Sequence, residues 1–128
     1  MRLSAIVISL VSLGHAAPAL ASSSAWFETT GGRVRLVTTG QPDDDGVIQG
    51  ALQIDLAPGW KTYWLDPGDA GVPPSLDVAK STNLASAQMS FPPPHRYDDG
   101  VAKWAGYSQP VSFPVAFTVA ERGKPALI

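Results

Sequence analysis

From about residue 22 onward, apolar and polar positions alternate along most of the chain with a period of two, the spacing of strands that bury one face. Trp26-Phe27-Glu28 starts a first strand. Arg33–Thr39 follows, with Val34, Leu36 and Thr38 on one face. Gln41–Gly46 reads as a turn whose aspartates bond local backbone rather than a cation. Val47–Leu56 is the clearest strand. Ile48, Gly50, Leu52, Ile54 and Leu56 form one row, and Gln49, Gln53 and Asp55 the other. Ala57-Pro58-Gly59 then turns into Trp60–Trp64, and the two runs are expected to pair antiparallel.

Beyond Trp64 the pattern breaks into Asp66-Pro67-Gly68-Asp69 and Gly71-Val72-Pro73-Pro74, read as a stiff, proline-braced loop. Pro74–Val78 is a short strand candidate. Leu84–Phe91 is another, with Ala85, Ala87, Met89 and Phe91 in one row. Pro92-Pro93-Pro94 forces an extended exit. Val101–Tyr107 reads as a strand or an ordered loop. Val111–Val119 alternates cleanly, and Pro114 within it predicts an edge position or a bulge. Pro125–Ile128 begins a further strand. No segment after residue 21 has a helical period of useful length, so the expected fold is an all-β sandwich.

The start of the chain has a different character. Met1-Arg2, the apolar run Leu3–Leu13 and Ala19-Leu20-Ala21 have the layout of a secretory signal peptide cleaved after Ala21. The run is too short to span a bilayer, and no later stretch could do so. Residues 22–128 are then one small exported domain. With 9 basic and 11 acidic residues, charge offers no case for nucleic acid or an anionic membrane. The sequence contains no cysteine, which excludes disulfide staples and thiol chemistry within these 128 residues.

His95 is the only histidine after residue 21, so no multi-histidine metal site can form there, and no cofactor is expected. No GxSxG, GxGxxG or phosphate loop is present. Asp98-Asp99 reads as a turn with Gly100 supplying positive φ, against an alternative in which one acid transfers a proton over a reactive group. Trp60, Tyr63, Trp64, Trp104 and Tyr107 read as packing residues. The alternative is an exposed platform for a peptide or glycan.

Taken together, GWKTYW-LDPGDAGVPPSLD, FPPPHRYDDGVAKWAGY, PVSFPVAF and GKPALI resemble the amino-terminal periplasmic domain of DsbD-type thiol:disulfide interchange proteins. The likeness runs from Trp26 to Ile128 and is closest to the branch with copper-sensitivity suppressor proteins. It implies an immunoglobulin-like β-sandwich in the periplasm. It also implies a membrane-embedded DsbD-type electron donor and periplasmic thioredoxin-like acceptors, serving disulfide isomerisation, cytochrome c maturation or copper tolerance. By the same resemblance His95, Tyr97, Asp98, Asp99, Trp104 and Tyr107 lie in a cap loop over the family's reactive cysteines. That role predicts Tyr97–Tyr107 to be the most mobile ordered part of the domain. Trp60, Tyr63, Trp64, Asp66 and Asp69 form the aromatic and proline loop beside it.

The family's cysteine pair follows the segment matching Gly123–Leu127, and this sequence has none. The expectation is a copy truncated before that pair, with a sandwich incomplete at its C-terminal edge and no redox activity alone. The competing reading is a periplasmic binding module that uses the aromatic loops.

Overall fold

A computed structural model describes residues 21–128, so the expected signal peptide lies outside the described residues. These residues form β1 (Ser22–Ser23), β2 (Phe27–Thr29), β3 (Gly32–Thr38), β4 (Val47–Leu56), β5 (Thr62–Gly68), β6 (Leu84–Met89), β7 (His95–Asp98), β8 (Lys103–Tyr107) and β9 (Val111–Val119). The larger sheet has the order β1-β3-β4-β9-β6, with β2 also on β3, and the smaller has the order β5-β8-β7. Every pairing is antiparallel. The architecture is an immunoglobulin-like β-sandwich, and no helix among the described residues could cross a membrane.

The alternation read from β4 and β9 sets the core. Cross-strand register places Ile48 opposite Phe117, Leu52 opposite Phe113 and Ile54 opposite Val111. Phe113, Val115 and Phe117 are fully buried on this face, and Leu36, Leu84, Ala87 and Met89 from neighbouring strands pack on the Ile48–Phe117 cluster. The polar row faces outward. There Arg33 pairs with Asp55 at 2.9 Å, and Arg35 donates to Gln53 at 2.7 Å. Tyr107 of β8 meets Phe113 of β9 edge-on at 5.2 Å, joining the two sheets.

Several expectations change. First, β4 and β5 are not a hairpin. Both edges of β4 are taken, by β3 and β9, so Ala57–Lys61 carries the chain across to the other sheet, where β5 pairs with β8. Second, β5 continues through Asp66-Pro67-Gly68 rather than breaking at Trp64. An irregularity between Tyr63 and Gly68 absorbs the proline, which needs no donor there. Third, Pro74–Val78 is irregular, although Leu76 and Val78 still cover the core.

Fourth, Pro114 sits in a central strand. Its carbonyl accepts from Ser90 N at 2.8 Å, so its missing N–H would face Ser90, one residue past the end of β6. Pro114 therefore marks where the neighbouring ladder stops. A register shift between Leu84 and Ser86 also alters the row expected on β6: Leu84 packs on the core and Ala85 is exposed.

Candidate functional site: the β7–β8 hairpin and its supports

The segment resembling a cap loop is a β-hairpin. Its register pairs His95 with Gly106, Arg96 with Ala105, Tyr97 with Trp104 and Asp98 with Lys103. Opposed residues share a face, so His95, Tyr97, Trp104 and Gly106 lie on one side, joined by Tyr63 of β5 opposite Gly106. Ala105 and Tyr107 lie on the other, toward the larger sheet. Gly106 is required where it stands, because a side chain there would collide with the Thr62 carbonyl oxygen.

The aromatic face is a closed stack. Tyr97 lies on Trp104 with centroids 4.0 Å apart and planes 12° from parallel. A ring that close leaves no room on the same face, so the Lys61 ammonium, 4.3 Å from the Trp104 centroid, occupies the opposite one. Tyr63 meets Trp104 edge-on at 5.6 Å, and the backbone of Gly71 lies against the Tyr63 ring. Trp104 is consequently 8% exposed, and Tyr107, packed on Phe113 from the other side, is 6% exposed. They form no open platform for a sugar or peptide. The Tyr107 hydroxyl donates to Pro92 O at 2.7 Å, and burial raises its pKa above the usual 10.0.

The hairpin turn is built by its acids. Asp98 Oδ1 accepts from Gly100 N at 3.0 Å, with Gly100 at φ +81°. Asp99 Oδ1 accepts from Ala102 N at 2.8 Å and Val101 N at 2.9 Å. Those two N–H groups hold the Asp99 pKa below its ordinary 3.8, with a smaller contribution from the Lys61 charge. Both carboxylates are thus turn caps, and the bonds to Asp99 favour its ionised form. The turn presents Val101, 95% exposed.

Not every residue singled out from the sequence gathers here. Asp69 does: its N–H donates to Lys103 O at 2.9 Å, and its Oδ2 accepts from Lys103 N at 2.9 Å, tying the loop after β5 to the hairpin. Asp66 lines a cleft of about 370 Å³ with Arg96, Asp98 and Lys103. His95 is exposed at the start of β7, its ring 6.3 Å from Tyr97. Trp60 stands apart, packed over Gly31 and 47% exposed. Trp64 is half-buried on the side of β5 opposite Tyr63. The sequence reading missed Lys61 and Lys103. A cation between two aromatic residues, Trp60 and Tyr63, was the available signal for Lys61. Among the described residues, no group of three His, Cys, Asp or Glu side chains could hold a metal ion.

The family model described as "Thiol:disulfide interchange protein DsbD, N-terminal" matches residues 33–127, which include the whole hairpin and its supports. The chain belongs to the DsbD N-terminal family. A solved structure agrees: the N-terminal periplasmic domain of ScsB from Proteus mirabilis is similar at 27% identity and a TM-score of 0.65. That match covers 77% of this chain and 40% of the Proteus chain, so this chain spans well under half of that domain. Among curated proteins, no relative matches.

Proposed function

We propose that this chain is the scaffold and docking hairpin of a periplasmic thiol:disulfide interchange domain. Residues 1–21 would serve as its export signal and residues 22–128 as its folded unit. The family match across the hairpin carries this reading. The geometry supports it: a turn braced by Asp98 and Asp99 holds Val101 out to solvent, while Trp104 and Tyr107 anchor the hairpin below. An exposed apolar tip on a braced turn suits brief docking of a thioredoxin-like protein, because covering Val101 removes apolar surface from water. The membrane-embedded donor would use the same surface on its turn. Exchange itself needs a thiolate, and these 128 residues have no cysteine, so the chain as given docks without reacting.

Titration calorimetry of a periplasmic thioredoxin-like protein into the chain tests the reading. Binding is expected, and Val101→Asp should weaken it about tenfold or more, as loss of a central apolar contact does. Equal binding by both forms, or none by either, overturns it.

A further inference from the structure

We infer that the free edge of β7 is a self-association surface. A second copy of this chain pairs with it antiparallel about Tyr97, which sets Arg96 of each copy opposite Asp98 of the other. The inference goes beyond the docking reading and needs no thioredoxin-like protein to be tested.

The smaller sheet ends at β7, and among the described residues no strand covers its outer edge. The hydrogen bonds of β8 show which main-chain groups turn toward that edge. Lys103 N donates to Asp69 Oδ2 and Lys103 O accepts from Asp69 N, so both groups are used on the β5 side. Asp98, opposite Lys103, therefore belongs to a pair that exchanges no main-chain bonds within the hairpin. The alternation of an antiparallel ladder then makes Tyr97–Trp104 a bonded pair and Arg96–Ala105 an unbonded one. The N–H and C=O groups of Arg96 and Asp98 are left pointing outward, into solvent.

The side chains say what fits there. Arg96 and Asp98 share a face of β7, and both are exposed. Neither is in an ion pair among the described residues, although Lys103 stands directly across from Asp98. Asp98 Oδ1 accepts from Gly100 N, which leaves Oδ2 available. Charges on an edge strand ordinarily discourage a second strand. Here a two-fold axis at Tyr97 turns their alternation of sign into complementarity. Each Arg96–Asp98 pair between copies would exchange both main-chain bonds and add a cross-strand ion pair. Pro94 has no N–H for the next outward position, so the ladder stops there and the association is weak and reversible. The edges at β6, β2 and β5 offer no such match. β6 carries no charged residue, β2 carries only Glu28, and β5 is interrupted at Pro67. Paired strands run in opposite directions, so the two turns bearing Val101 lie at opposite ends of the joined sheet.

Small-angle X-ray scattering of the chain from micromolar to millimolar concentration, with amide exchange at both ends of that range, tests the inference. A reversible monomer–dimer equilibrium is expected, and exchange at Arg96 and Asp98 should slow as concentration rises. Arg96→Glu sets like charges opposite each other in both pairs and should weaken the dimer about tenfold. Asp98→Lys does the same with the other sign, and mixing the two variants should restore dimers, because both pairs are then complementary again. A chain that stays monomeric at millimolar concentration overturns the inference. So does a dimer indifferent to Arg96→Glu, and so does exchange at Arg96 and Asp98 that is independent of concentration. A mixture no more associated than either variant alone overturns it when Asp98→Lys keeps the native amide spectrum. If Asp98→Lys loses its turn, the exchange rates and Arg96→Glu decide alone.

Discussion

Single residues carry the pH dependence of the hairpin. The folded pKa of Asp99 lies below 3.8, so its contribution to the turn is complete above that ordinary value and is lost as pH falls through the folded one. The amide resonances of Val101 and Ala102 should accordingly titrate with a midpoint below 3.8. A midpoint at or above it would show that the carboxylate does not cap the turn. Tyr107 has the opposite sign. Its raised pKa leaves the buried phenol neutral, and its contribution is intact below 10.0 and lost as pH rises beyond that. Asn83 is a different kind of residue. It holds a left-handed φ of 58° and makes three bonds, donating to Glu121 O and Lys124 O and accepting from Glu121 N. Asn83→Ala should cost about 1 kcal/mol in urea unfolding, since it removes three exposed hydrogen bonds and leaves alanine at a left-handed φ. A loss under ~0.5 kcal/mol would contradict that. At this scale the Asp98-Asp99-Gly100 turn was legible, because short acids and glycine act on backbone within a few residues. The packing of Trp104 was legible too, but its cover by Tyr97 and Lys61 was not, because alternation does not say which residues come to lie on the two faces of a ring.

Elements were legible where both faces of a strand differ in polarity. β3, β4 and β9 follow the predicted rows because one face is core and the other holds residues such as Arg33 and Asp55. Pairing was less legible than existence. The β4–β5 turn looks like a hairpin in sequence, and only the occupation of both β4 edges shows that it cannot be one. The hairpin adds detail of its own. Its segment Tyr97–Tyr107 is expected to be the most mobile ordered part of the domain, and within it Trp104–Tyr107 is buried strand while the turn is exposed. Hydrogen exchange should therefore fall into a gradient, fast at Gly100–Ala102 and slow at Ala105–Tyr107. Uniform fast exchange across the segment would contradict that gradient. Phe113 supports this element from below, touching Tyr107 and also Phe91 at 5.3 Å. Phe113→Ala should cost about 3–5 kcal/mol, and the protection of Ala105–Tyr107 should fall with it. Retained protection at those amides would mean that the two sheets are not coupled through Phe113.

At the scale of the whole molecule, the fold and the family were readable from combined strings, above all GWKTYW-LDPGDAGVPP with PPPHRYDDG, because such turns and aromatics recur together only when they build the same contacts. The layered stack was not readable, since it joins Lys61 to Trp104 across two sheet crossings. Without cysteine the chain should reduce no insulin when no thiol is added, and measurable reduction would refute a docking role without exchange. The central claim is that the hairpin is a docking surface, and a footprint by NMR tests it most directly. A thioredoxin-like protein is titrated into the isotopically labelled chain, and shifts are followed for every amide. The account predicts changes concentrated at Tyr97–Lys103 and Asp66–Asp69, with little change on the outer face of β3 and β4 around Arg33 and Gln53. A footprint on that outer face, with the hairpin unmoved, would contradict it.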